Sequence, residues 1–122
     1  MKMLNRSAMT VKLTQAFVDW INNLEDGSEP LTLADVNEEA TVYLVPEIED
    51  EDQLNDMVQE FWLNILENEL KSWEDNEASW PELTFEQFEQ FIELSPAVMV
   101  FDLDYENSLK SASIDDLEDS AQ

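Results

Sequence analysis

The side chains with chemistry to offer in this sequence are overwhelmingly carboxylates. Asp and Glu number 30 against five Lys and Arg, and there is no histidine and no cysteine. Without histidine, the commonest general base, the commonest metal ligand and the usual switch near neutral pH are missing. Without cysteine there is neither a disulfide nor a thiolate metal site. Carboxylates acting alone can serve as an acid–base pair of the glycosidase type, ligate calcium, or present negative charge to a cationic partner.

The first two uses find no support in spacing. With 30 acids some pair falls at a catalytic separation by chance, so the pattern selects none. A GxSxG elbow and a glycine-rich phosphate loop are both absent, and a chain with one glycine cannot build a backbone cradle for phosphate. No catalytic residue is assigned, no cofactor is expected, and the protein reads as a non-enzyme. Asp102-Leu103-Asp104-Tyr105-Glu106-Asn107 has the opening rhythm of an EF-hand loop. Ser113 stands where the twelfth-position glutamate belongs, and no incoming helix precedes the segment. Asp50 and Asp52 begin a similar pattern that Leu54 interrupts. These stretches read as acidic surface without a specific metal site.

The third use is better supported, because the charge is segregated. Between Glu25 and Leu109 there are 25 carboxylates and one basic side chain, Lys71, so this segment holds −24 of the chain's net charge of −25. Residues 1–24 carry Lys2, Arg6 and Lys12 against Asp19 alone. Self-repulsion of this size opposes compaction. A hydrophobic content of 43% with 10% aromatics nevertheless indicates a folded core beneath the acidic coat.

The elements that position these charges follow from periodicity. Leu13, Ala16, Phe17, Trp20, Ile21 and Leu24 recur at helical spacing, with Ser7 or Thr10 as N-cap and Gly27 as the C-terminal stop. Met9 is an alternative translation start that would leave residues 1–8 peripheral. Thr41-Val42-Tyr43-Leu44-Val45 reads as a strand. Leu31-Thr32-Leu33 is its expected hairpin partner across Asn37-Glu38-Glu39; the alternative is a short helix capped by Thr32 and Asp35. The clearest helix spans 51–73, with Leu54, Met57, Val58, Phe61, Trp62, Ile65, Leu66 and Trp73 along one stripe and acids crowding its N-terminus. A third helix opens with the capping box Thr84 and Gln87, is apolar at Phe85, Phe88, Phe91 and Ile92, and ends at Ser95-Pro96. Ala97–Leu103 reads as a buried strand, and Ile114 with Leu117 as a half-turn in a polar tail. The expected fold is α+β, with three main helices packed on a small two- or three-stranded sheet. A compact domain is expected over residues 1–104, with a loosely packed acidic tail over 105–122.

On a wheel with Leu54 at zero and ~100° per residue, Asp56, Glu60, Glu67 and Glu74 fall together at about 200–240°, opposite the apolar stripe. Glu86, Glu89 and Glu93 form a second line on the third helix. Axial steps of roughly 4.5 to 10 Å along these lines approach the charge density of a nucleic-acid backbone, with one phosphate per ~3.4 Å of each strand. Ordinary solvated helix faces alternate glutamate with lysine, whereas here Lys71 alone interrupts. Leu63 and Leu70 lie at about 180° and 160°, outside the stripe, and suggest an apolar seam beside the acidic line, suited to a partner or to a homodimer, while Trp80 reads either as a core lid or as an exposed anchor of the same interface. The alternative is a central helix buried on two sides.

Together these features suggest an acidic binding or regulatory protein whose partner is a basic, nucleic-acid-binding protein. In its sharpest form this is a DNA mimic acting as an inhibitor from within the basic cleft. The alternative is a salt-adapted, highly acidic accessory protein with no specific partner, and a weak calcium binder or carboxylate enzyme comes third. Direct binding to nucleic acid or to anionic membrane is opposed by charge. No stretch approaches the ~18 apolar residues of a membrane span, and Lys12 breaks any secretory signal, so a cytoplasmic location is expected.

Overall fold

The computed structural model describes residues 1–24, 29–104 and 106–114. The proposed stop at Gly27, the half-turn partner Leu117 and half of the expected tail lie outside the described residues.

Strand β2 (Ser7–Leu13) is the centre of the fold. It pairs antiparallel with β3 (Thr41–Val45) on one side and with β4 (Ile92–Ala97) on the other, giving the order β3-β2-β4. This overturns the expectation that Ser7 or Thr10 caps the first helix. Ser7, Met9, Val11 and Leu13 alternate inward at period two, so a seven-residue strand precedes the helix. The cap is Thr14, whose Oγ1 accepts from Phe17 N; the helix it opens is α1 (Gln15–Asn22), only two turns long. Ser7 and Ala8 are buried rather than peripheral. The Ser7 hydroxyl donates to Val98 O and accepts from Ile48 N, so a polar side chain occupies a core position with both bonds made.

The expected hairpin at 31–45 is also overturned. Thr32 and Asp35 form a reciprocal capping box that starts a single turn, α2 (Leu33–Val36), so β3 takes β2 as its partner instead of Leu31-Thr32-Leu33. Asn37 then clips this turn to the end of β2. Its Oδ1 accepts from Leu13 N at 2.8 Å, and its Nδ2 donates to Leu13 O at 2.9 Å.

Helix α3 (Glu51–Trp73) has the expected bounds, and Asp50 caps it by accepting from Gln53 N. A 3₁₀ turn (Glu77–Ser79) leads to α4 (Phe85–Phe91), capped by Thr84. Here the expected end at Ser95-Pro96 is wrong: the backbone turns extended at Ile92 and passes directly into β4. Pro96 is tolerated because β4 is an edge strand with one side unpaired. The segment expected to be a buried strand over Ala97–Leu103 is mostly surface. Val98, Met99, Phe101 and Leu103 are exposed; beyond Ala97, the last residue of β4, the short strand β5 (Phe101–Asp102) pairs with β1 (Lys2–Met3). Its apolar run mimics a core strand, but the inner face of the sheet is already filled by β2, β3 and β4.

The architecture is α+β as expected, with α1, α3 and α4 packed on a small antiparallel sheet. One core joins Val11, Leu13 and Ile92 of the sheet to Phe17, Val18, Ile65, Leu66, Leu70, Phe88 and Phe91 of the helices. Aromatic edges lock it: Phe17 meets Phe91 at 5.5 Å and Trp73 at 6.3 Å between ring centroids. A smaller cluster of Met9, Val45, Ile48 and Met57 closes the other end. The sheet's outward positions differ in character. Val42 and Leu44 are each 55% exposed, and Lys12 stands opposite Glu93 in register, both exposed.

Candidate protein-docking surface

Helix α3 sets the first acidic line. Asp56 and Glu60 are exposed, whereas Glu67 and Glu74 are half-buried. Glu74 belongs to the helix stop: its backbone is extended, its Oε1 accepts from Asn76 N at 2.9 Å, and its carbonyl accepts from the Trp80 indole at 2.7 Å. Glu67 stands four residues before Lys71, the favourable orientation for a helical charge pair. The unrelieved part of the line is therefore its N-terminal half, Asp56 and Glu60.

The second line is shorter than its sequence spacing implied. Glu86 and Glu89 are exposed on α4, but Glu93 lies on β4, because the helix ends at Phe91. Its register partner is Lys12, a cross-strand pair of opposite charge. The two helices are neighbours: Trp62 of α3 packs against Phe85 at 5.8 Å and Phe88 at 6.3 Å, with Phe85 and Phe88 stacked on each other. Asp56 and Glu60 on one helix, and Glu86 and Glu89 on the other, thus project from a single locked pair.

The apolar seam does not survive. Leu70 is fully buried (0% exposed) in the main core, while Leu63 is 39% exposed. Leu66 at about 120° on the wheel extends the apolar arc toward Leu70 at about 160°. The chain leaving α3 folds back over that end, bringing Trp80 onto the same core. Trp80 is a half-buried lid tied to Glu74, not an exposed anchor. Leu63 alone remains on the surface.

Two features escaped the sequence reading. The first is Glu69, 4% exposed. Its Oε2 accepts from the Tyr43 hydroxyl at 2.5 Å, and Asn68 Nδ2 donates to the same hydroxyl at 2.9 Å. Burial raises the Glu69 carboxyl above its usual value, partly offset by the Tyr43 hydrogen bond. Burial, followed by the bond to Glu69, raises the Tyr43 phenol as well. The signal was available, since Glu69 falls at about 60° on the wheel, inside the apolar arc. The second is exposed apolar surface at Val42, Leu44, Val98, Met99 and Phe101. Continuous apolar runs hid it, because they read as doubly buried strands.

Asp102 and Asp104 spend their carboxylates locally. Asp102 Oδ1 accepts from Asp104 N, and both Asp104 oxygens accept from Asn107 Nδ2. Among the described residues no three acids converge in a way that would hold a metal ion. No helix among them is long and apolar enough to cross a membrane.

No protein-family model, curated protein or solved structure matches this chain.

Proposed function

We propose that this is a non-enzymatic, acidic binding or regulatory protein that engages a basic protein through the paired helices α3 and α4. In its sharpest form it is a DNA mimic occupying the basic cleft of a nucleic-acid-binding protein. The observation that carries the reading is the Trp62–Phe85–Phe88 contact, which fixes the two helices bearing Asp56, Glu60, Glu86 and Glu89 into one unit. Charges held on a rigid frame lose little entropy on docking. Steps of roughly 6 Å between Asp56 and Glu60 and 4.5 Å between Glu86 and Glu89 are of the order of phosphate spacing along a strand. Association is then fast and weakens steeply with salt. Leu63 supplies a small apolar contact. A homodimer through a Leu63–Leu70 seam is not part of the proposal, because Leu70 is spent in the core. The cytoplasm, where nucleic-acid-binding targets are reachable, is the proposed location.

The alternative of a salt-adapted accessory protein is weakened by charge segregation. Residues 1–24 carry more basic than acidic groups, which uniform environmental pressure does not produce. The deciding experiment immobilises the protein, captures partners from lysate and elutes with rising salt. One or two nucleic-acid-binding proteins, displaced by duplex DNA and lost with a Glu60→Lys/Glu86→Lys/Glu89→Lys variant, is the expected result. A broad smear of basic proteins indifferent to that variant would favour the accessory reading.

A further inference from the structure

Away from the α3–α4 face, a cavity of about 480 Å³ opens between the end of β2, the loop following α2 and the C-terminal part of α3. Its volume lies in the range of small-ligand sites, which run to roughly 300–1,000 Å³, and far exceeds that of a bare ion. Val11, Leu13 and Val36 supply apolar lining, Trp73 supplies an indole, and Glu38, Glu39 and Glu69 supply carboxylates. Asp35 also lines it, but one oxygen of its carboxylate is engaged by Thr32 N. No lysine or arginine is among the lining residues.

Glu69 separates this cavity from ordinary acidic surface. The residue is 4% exposed, and its Oε2 is committed to Tyr43. Oε1 has no hydrogen-bond partner among the described residues. Every side-chain polar atom there that is wholly shut from solvent does have one, so Oε1 keeps some solvent contact, and Glu69 itself lines the cavity. A buried carboxylate with one oxygen held and the other free is a preorganised acceptor at the base of a cleft. The loop wall is preorganised too, because Asn37 clips it to Leu13 with two hydrogen bonds. Since no three carboxylates converge on one point, the charge arrangement suits an extended cation rather than a metal ion. An indole wall favours the same ligand class through cation–π attraction.

We propose that this cavity binds an organic cation bearing an alkylammonium or guanidinium group. Glu69 Oε1 accepts from the cation at the base, Glu38 and Glu39 neutralise it at the rim, and Trp73 flanks it. The same chemistry is found in a free polyamine and in a lysine or arginine side chain of another protein. The site does not depend on the helical docking face, and either can fail without the other.

The test titrates the full chain at low salt with spermidine, with N-acetyl-lysine methylamide and with N-acetyl-arginine methylamide. Affinity is read by calorimetry and location by amide and indole shifts. The expected result is a shift of the Trp73 indole N–H and of residues 36–41. Affinity should fall about tenfold or more in Glu69→Gln, the scale of one charge-assisted hydrogen bond. Glu47→Gln removes the same charge from an exposed position after β3 and is expected to leave affinity within about twofold. Glu39→Gln, on the exposed rim, should weaken binding by an intermediate factor without touching the core. Binding of spermidine alone identifies a free amine, and binding of the amino-acid derivatives identifies a protein side chain. Equal weakening by Glu69→Gln and Glu47→Gln, or no response at Trp73 to any of the three probes, would overturn the proposal in favour of diffuse counter-ion attraction.

Discussion

Two stretches of α3 carry the same residue types to opposite ends. Along the first, Asp56, Glu60 and Leu63 stand exposed; along the second, toward the C-terminus, Glu69 and Leu70 are sealed in. A carboxylate at Glu60 is hydrated and contributes mainly a long-range field, screened over ~8 Å at physiological salt. A carboxylate at Glu69 is costly to ionise and survives because Tyr43 donates to it. A leucine at 70 contributes packing, whereas a leucine at 63 leaves over a third of its surface in water. Net charge says little about such a helix until the surroundings of each charge are known.

The sharpest way to break that contrast is Leu70→Ala against Leu63→Ala. The first is expected to cost about 2–5 kcal/mol through cavity formation, and the second to stay within about 0.5 kcal/mol. Both are read from urea unfolding, and comparable losses at the two sites would end the distinction. Next in size is Tyr43→Phe, which strips the donor from buried Glu69 and should cost about 1–3 kcal/mol. Adding Glu69→Leu to that variant should recover much of the loss, because a pair of apolar groups leaves no polar atom stranded.

The pH dependence gives a smaller effect with a definite sign. Burial raises Glu69 in the folded state above its ordinary value of 4.5. The folded protein therefore holds that proton more tightly than the unfolded chain. The stability tied to it is fully present below pH 4.5 and is lost as pH rises through the folded-state value. Wild type should gain stability as pH falls from 7 toward 5. Relief of general repulsion acts in the same direction, so the difference between wild type and Glu69→Gln isolates the buried group. If the two proteins show identical slopes over that interval, Glu69 is not the titrating group. Smallest of all, Glu60→Gln should change stability by only a few tenths of a kcal/mol, as expected for an exposed helical charge. In thermal melts, raising salt should narrow even that difference.

Legibility from sequence tracked the length of each periodic signal. Helix α3 has 23 residues and a cap at Asp50, so its bounds could be read directly. The strand Thr41–Val45 and the Thr84 cap were also visible, because β-branching and capping chemistry are local. Strand β2 was not, because Leu13 also fits the helical spacing that continues through Phe17 and Trp20, and Ser7 at the strand's start reads as a helix cap until its distant partners Val98 O and Ile48 N are seen. The passage from α4 to β4 at Phe91–Ile92 carries no glycine or proline to mark it, and so Glu93 was placed on the wrong element. Of the anticipated surface, Asp56, Glu60, Glu86 and Glu89 stand exposed on packed helices. Leu70 and Trp80 went to the core, since a helical wheel shows direction but not what folds back to cover it.

The position of β2 has a consequence for how the chain reaches this state. Its residues come before both of its partner strands, and its neighbour β4 pairs Leu13 with Ile92 and Ala8 with Ala97. The central strand therefore waits until α1 to α4 have all been made before its second edge is covered. Contacts of such long sequence separation slow folding and leave an apolar edge open in the interval. We expect a fragment ending at residue 91 to lack a cooperative unfolding transition even though α3 is complete within it. A cooperative melt from that fragment would show that the sheet does not need its last strand. In the growing chain, the abundant negative charge keeps copies apart while that edge stands open.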